Sequence, residues 1–237
     1  MNKFYDDLAR WWYLISAPED YADEARFFLE HFQTVTALSD THLLELGSGG
    51  GNNAFHMKHA FDKVTLSDLS PGMLALSQTL NPDCEHIVGD MRHLRLERQF
   101  DAVLIHDAID YMTTSDDLKQ ALTTAYLHCG PGGIALFVPD HTQETFEPST
   151  EHGGHDADGR SARYLEWTYR PHPESNYYLT DYVFILREEG HSTRVEHELH
   201  KLGLFRRDEW LRLMREIGFT AHTVQDDYGR TIFVGHR

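Results

Sequence analysis

The chain has 237 residues, 41% of them hydrophobic, and a formal net charge of −17. That length suits one domain, or one domain with an insertion. Nucleic-acid binders need a basic stripe to displace counterions; the densest basic stretch, around Arg206, Arg207, Arg212 and Arg215, is diluted by Asp208, Glu209 and Glu216, so no nucleic-acid partner is expected.

The two cysteines, Cys84 and Cys129, form no motif, which fits a reducing compartment. The N-terminal MNKFYDDLARWW lacks the basic start and apolar run of a signal peptide, and the longest apolar runs are too short to span a bilayer. The expectation is a cytoplasmic protein with no membrane partner; monomer and homodimer both stay open.

Apolar residues at helical spacing predict helices over 4–15 and 19–33, separated by Ala17-Pro18. From residue 42 short apolar strands (42–46, 63–67, 85–88, 101–106 and 133–138) alternate with helical stretches near 52–60, 71–79 and 115–128. That rhythm predicts a parallel sheet with helices on both faces. Residues 140–162 lack periodicity. The segments 162–170, 177–188 and 192–202 then alternate polar with apolar residues, with Glu189-Gly190 as a turn, and predict inserted antiparallel strands. A helix at 207–216 follows, then strands 219–225 and 229–235 with Asp227-Tyr228-Gly229 at the turn. The expected whole is an α/β protein of one domain, its seven-stranded, mostly parallel Rossmann-like sheet carrying an N-terminal helical lid (1–40), a ligand-binding core (41–140), an inserted loop and strand layer (141–205) and a closing helix and hairpin (206–237).

The strongest chemical signal is LLELGSGGGNN, residues 43–53. A buried strand ends near Glu45, glycines at 47, 49 and 51 permit positive φ and close approach of a ligand, and a helix begins near Asn52. Open α/β sheets bind ligands at the carboxyl end of such a strand. A dinucleotide fingerprint would read G-x-G-x-x-G; here Asn52 stands where the third glycine would be. Glu45, two residues before the first glycine, suits a ligand carrying a cation and poorly suits a diphosphate. A nicotinamide dinucleotide is therefore disfavoured.

The order E-x-G-x-G-x-G resembles motif I of class I S-adenosylmethionine-dependent methyltransferases, and four more segments follow in the order that family requires. VTLSDLSPGML (64–74) is a second strand ending in Asp68, placed to accept both ribose hydroxyls, with Ser70 and Pro71 as N-cap and first helical position. HIVGDMRHL (86–94) ends a third strand in Gly-Asp-Met. The resemblance implies that Asp90 meets the adenine amino group and the Met91 backbone the ring. FDAVLIHDAIDYM (100–112) runs into a loop facing the methyl group, and HCGPGGIALFVPD (128–140) matches the helix, Pro-Gly-Gly turn and fifth strand. The implied cofactor is S-adenosylmethionine, with S-adenosylhomocysteine as product. The residues expected to hold it are Glu45, Gly47, Ser48, Gly49, Gly51, Asp68, Leu69, Met73, Gly89, Asp90, Met91, His106 and Tyr21.

The loop after strand four carries His106-Asp107-Ala108-Ile109, without the proline pair that holds a flipped base or a Pro-Cys nucleophile. A small-molecule acceptor is therefore expected, methylated on an amine or hydroxyl (less readily a carboxylate) by in-line displacement. The N-terminal segment and residues 195–219 resemble N-methyltransferases of glycine and of nucleotide-linked amino sugars. His141 and His106 are the candidate general bases. Tyr13, Tyr111, His152, His155 and Glu166 are the expected acceptor contacts. EHGGHD (151–156) invites a metal, but such sites gather further ligands, and no metal is assigned. The same fold also serves non-catalytic S-adenosylmethionine binders, which the presence of the pocket acids and mouth disfavours, and aminopropyl transferases, which nothing in the sequence firmly excludes.

Overall fold

The computed structural model describes Tyr5, residues 8–34 and residues 41–237. A tight 3-10 turn at Ala9–Leu14 and another at Pro18–Tyr21 lead into α1 (Ala22–Phe32). Five strands then pair in parallel: β1 (His42–Leu46), β2 (Lys63–Asp68), β3 (Glu85–Val88), β4 (Phe100–Ile105) and β5 (Cys129–Phe137). Between them lie α2 (Asn52–Met57), α3 (Pro71–Leu80) and α4 (Ser115–His128).

After the insertion, α5 (Arg207–Ile217) precedes two closing strands. These form an antiparallel edge on the same sheet, whose order is β11-β12-β5-β4-β1-β2-β3, with β11 at Thr220–Gln225 and β12 at Thr231–His236. The winding reverses between β1 and β4, and the crevice beyond their carboxyl ends is where such sheets bind ligands.

Successive residues of a strand point to opposite faces, and the sequence spends both faces on the core. Leu43, Leu66, Leu104 and Leu136 pack beneath Phe28 and Phe32 of α1 and Met57 of α2. Leu44, Leu46, Val103 and Phe137 pack on the other side against Leu118 and Leu122 of α4 and Trp210 of α5. Each of these fully buried side chains contributes about 1.5–3 kcal/mol, so the strand ends carrying the site rest on a stiff platform.

The insertion forms a second, antiparallel sheet in the order β10-β9-β8-β6: β6 (Ser149–Gly153), β8 (Arg160–Tyr169), β9 (Tyr177–Glu188) and β10 (Arg194–Gly203), with the short β7 (Asp156–Ala157) paired to β8. Ala162, Phe184 and Leu186 of this sheet pack on Leu8, Trp11 and Leu14.

Two expectations change. The helix read over 4–15 is a 3-10 turn at Ala9–Leu14, because the residues it buries on the second sheet, Leu8, Trp11 and Leu14, recur every third position; Phe4 lies outside the described residues. The segment 140–162 holds β6 and β7. Its alternation was invisible because β6 turns Ser149 and Glu151 to a cavity and Thr150 and His152 away from it, leaving neither face apolar. The Pro131-Gly132-Gly133 turn appears as a looped-out bulge in β5: Phe100 pairs with Cys129 and Ala102 with Ile134.

Candidate active site

One cavity of about 700 Å³ opens over the carboxyl ends of β1, β2 and β4, between the N-terminal segment and the inserted sheet. The glycine loop forms its floor. Gly47 has φ +74, and a β-carbon there would lie 2.4 Å from Cβ of Ala108, so only glycine lets the β1 and β4 loops meet. The Gly49 N–H donates to Asp68 Oδ2 (2.8 Å) and the Ser70 N–H to Oδ1 (2.8 Å), fixing the carboxylate at the end of β2.

Glu45 is all but fully buried, and burial pushes its carboxyl up to about 8. Its Oε2, with Ser48 Oγ, Asn52 Oδ1 and Asn53 Oδ1, has no hydrogen-bond partner among the described residues, yet all four residues line the cavity. Buried polar atoms left unpaired are costly. This acceptor-rich set fits a ligand bearing ammonium and sulfonium charge, so S-adenosylmethionine fits the residues present.

The other half of the cavity is built from the loop after β4, the end of β5 and the inner face of the second sheet. His106 is clamped by carboxylates on both nitrogens: Nδ1 lies 3.0 Å from Asp107 Oδ1 and Nε2 3.2 Å from Glu24 Oε2. Burial alone would lower its pKa, but Asp107 and Glu24 override that and hold it well above 6.5. Arg230 joins the cluster, donating to Glu24 (2.7 Å) and Asp226 (2.6 Å).

His141 is different. Burial lowers its pKa below 6.5, and its ring stands edge-on to Phe146 and Tyr178 (centroids 5.2 and 5.3 Å apart). Beside it, burial pushes Asp110 and Asp140 well above the ordinary carboxylate range; Asp110 accepts from the Asp140 N–H (2.9 Å) and from Tyr178 Oη (3.1 Å). A hydrogen-bonded chain crosses the roof: Tyr5 Oη to Tyr111 Oη (2.7 Å), Tyr111 Oη to His200 Nδ1 (2.7 Å), and His200 Nε2 to Glu198 Oε2 (3.1 Å).

The cavity gathers Glu45, Gly47, Ser48, Gly49, Asp68, Leu69, Gly89, Asp90, Met91, His106 and Tyr21 in one half, and His141, Tyr111 and Glu166 in the other. Five expectations are corrected. Gly51 turns away from the cavity; it is left-handed (φ +79) so that α2 can start against Ser77 and Asn81, where a β-carbon would lie 2.3 Å from Ser77 Oγ. Met73 lies beneath the glycine loop and is not in the wall. Tyr13 reaches the loop from behind, its hydroxyl donating to the Gly50 carbonyl (2.9 Å), and Trp12 lines the cavity in its place. His152 points outward, opposite Leu165, by the alternation of β6. His155 is exposed beside Asp20, and its N–H fastens the insertion to the Leu14 carbonyl.

Asp107 and Glu24 favour the charged form of His106, which sets it against a role as general base. Asp90 keeps its place, but Arg92 occupies its carboxylate (Nη2–Oδ2 2.7 Å). Trp167 is 51% exposed on the far side of the second sheet, neither core nor cavity wall. Sequence reading missed Asp110, Asp140, Tyr182, His200, Glu24 and Arg230. For His200 a signal existed: the alternation of β10 puts it on one face with Glu198 and Leu202.

Comparison with known proteins agrees with this geometry. The family described as a methyltransferase domain matches residues 43–133. The dTDP-3-amino-3,4,6-trideoxy-alpha-D-glucopyranose N,N-dimethyltransferase of Streptomyces venezuelae is 28% identical over 225 residues, covering 92% of this chain and 91% of the relative. The crystal structure of Streptomyces venezuelae DesVI superposes with a TM-score of 0.84 at 27% identity, covering 97% of each chain. The sugar N-methyltransferase KedS8 from Streptoalloteichus shares the fold, with a TM-score of 0.85 at 22% identity over 100% of this chain and 94% of that one. A glycine loop with its acid at the carboxyl end of β1, a fixed acid at the end of β2, the strand order and these likenesses together support a class I S-adenosylmethionine-dependent methyltransferase.

Proposed function

We propose that the protein transfers the methyl group of S-adenosylmethionine to an amine nitrogen of a small polyhydroxylated molecule of the amino-sugar type. The observation that carries this reading is the single cavity that joins the glycine loop to a second chamber walled by His141, Tyr111 and the inner face of the inserted sheet. The amine assignment leans on the relatives named above, whose substrates are amino sugars by name.

Bound S-adenosylmethionine supplies a methyl group already activated on a sulfonium. Asp68, Glu45 and the backbone of residues 47–49 would hold its charged and ribose parts. Catalysis then consists mainly of aligning the amine lone pair behind the methyl carbon and excluding water. The N-terminal segment closes the cofactor side: Ser70 Oγ donates to the Tyr5 carbonyl (2.6 Å) and Asn52 Nδ2 to the Ser16 carbonyl (3.1 Å).

The amine must lose a proton. His141, neutral at pH 7 and facing the second chamber, accepts it as the general base. Purified protein incubated with S-adenosylmethionine and a panel of amino sugars and amino cyclitols tests the reading. One S-adenosylhomocysteine per methyl group gained by the amine is the expected result; methyl gain on oxygen alone would displace it.

A further inference from the structure

The ionisable groups facing the acceptor chamber are mostly acids. Asp110, Asp140, Glu151 and Glu166 line it, and none has an ion pair to a cation among the described residues. They feel one another: Glu151 and Asp107 push the Glu166 carboxyl up after burial does, and Asp107 and Asp110 do the same to Asp140. Asp140 also receives no hydrogen bond on its carboxylate from any described residue, although it is recessed at the end of β5. His106 and Arg230 act on Asp140, and His106 on Asp110, but both cations are already paired elsewhere, and a half-dry chamber holding several carboxylates without an ion-paired cation is a place prepared for positive charge.

The cations that do line the cavity are spent. Arg92 bridges Asp90 (2.7 Å) and Asp117 (2.9 Å), and Arg230 bridges Glu24 (2.7 Å) and Asp226 (2.6 Å). Recognition of a diphosphate calls for free guanidinium or ammonium donors, and among the described residues of this wall none is left over. The reacting nitrogen must be uncharged at the moment of attack, and a carboxylate pairing its ammonium form would hold it back from reaction. A lasting positive charge therefore fits these carboxylates only elsewhere on the acceptor.

We infer that the acceptor is a small amine carrying a second, non-reacting ammonium group and no phosphate, such as a diamino sugar or amino cyclitol, in place of a nucleotide-linked amino sugar. This rests on the N-methyltransferase reading and narrows its substrate. The reacting amine loses its proton to the base and takes the methyl group, while the second ammonium is held by Asp140 and Glu166, with Asp110 and Glu151 adding to the field.

The test is calorimetric titration of the full chain saturated with S-adenosylhomocysteine, using 2-deoxystreptamine (two ammonium groups), glucosamine (one) and dTDP as probes. The inference expects 2-deoxystreptamine to bind at least tenfold more tightly than glucosamine, no heat from dTDP, and loss of the tenfold preference in an Asp140→Asn, Glu166→Gln variant that keeps its S-adenosylhomocysteine affinity. Binding of dTDP as tight as that of the diamine, or a diamine no better than glucosamine, overturns it. Turnover separates this from the broader reading: transfer to a dTDP-linked amino sugar would sink the inference and leave N-methylation standing, whereas binding in the expected order with no amine ever methylated would sink N-methylation.

Discussion

Glu45 shows how one side chain reports on the ligand. Burial holds its carboxyl near 8 instead of the ordinary 4.5, so the folded, ligand-free protein keeps a proton that the unfolded chain gives up above 4.5. Its contribution to stability therefore falls as pH rises from 4.5 through about 8. A cationic ligand reverses the preference and expels the proton. Titration with S-adenosylmethionine at pH 7, in buffers of different ionisation enthalpy, should show proton release that Glu45→Gln abolishes; buffer-independent heats would contradict this.

Asp68 offers a plainer check. Removing its carboxylate in Asp68→Ala should weaken cofactor binding by about 1.5–3 kcal/mol, as for hydrogen bonds to a charged group; unchanged affinity would remove Asp68 from the site. The two histidines separate by protonation. Below its lowered pKa His141 is charged and cannot accept a proton, so the rate should rise with pH through that region. His141→Gln should lose about a hundredfold in kcat together with that limb. A limb that survives the substitution would point to the amine's own titration instead.

Among the elements, α3 and its cap do two jobs. Ser70 accepts from the Met73 N–H (3.1 Å) as N-cap and donates to the Tyr5 carbonyl (2.6 Å), so one hydroxyl starts the helix and pins the N-terminal segment. Ser70→Ala should cost about 1–2 kcal/mol in a denaturant titration and weaken cofactor retention as well; a stability loss with unchanged cofactor dissociation would confine Ser70 to capping.

The elements also explain what was legible. The glycine loop, Asp68 and Asp90 were readable because each is a strand end and its turn, contiguous in sequence and fixed in spacing. Much of the acceptor chamber was not, because Asp110, Asp140, Tyr182 and His200 come from four separate parts of the chain that only the insertion's folding back brings together. His152 was misplaced for the same reason: the register of β6, which decides which of its residues face the cavity, is set by pairing with β8.

At the scale of the whole molecule, Glu24, His106 and Arg230 tie together three distant parts of the chain: α1, the end of β4 and the final hairpin. Burial would raise the Glu24 carboxyl, but His106 and Arg230 outweigh it and hold it below the usual carboxylate range. The stability this gives is present above the ordinary pKa of 4.5 and is lost as pH falls below it. Glu24→Gln leaves two buried cations short of a counter-charge and should cost about 3–5 kcal/mol. Thermal melts of the variant and the parent between pH 4 and 8 check both points; parallel melts at every pH would contradict them.

Among the described residues no helix is long and apolar enough to cross a membrane. The seven-stranded sheet fixes the cofactor side, the five-stranded sheet closes the acceptor side, and the N-terminal segment joins them over the cavity.

The central claim is that this cavity holds S-adenosylmethionine, and calorimetric titration of the purified chain with S-adenosylmethionine, S-adenosylhomocysteine and NAD tests it most directly. The account predicts saturable, one-to-one binding of the first two, weakened by Asp68→Ala, and none of NAD. Binding of NAD, or failure of folded protein to bind either sulfur compound, would contradict it.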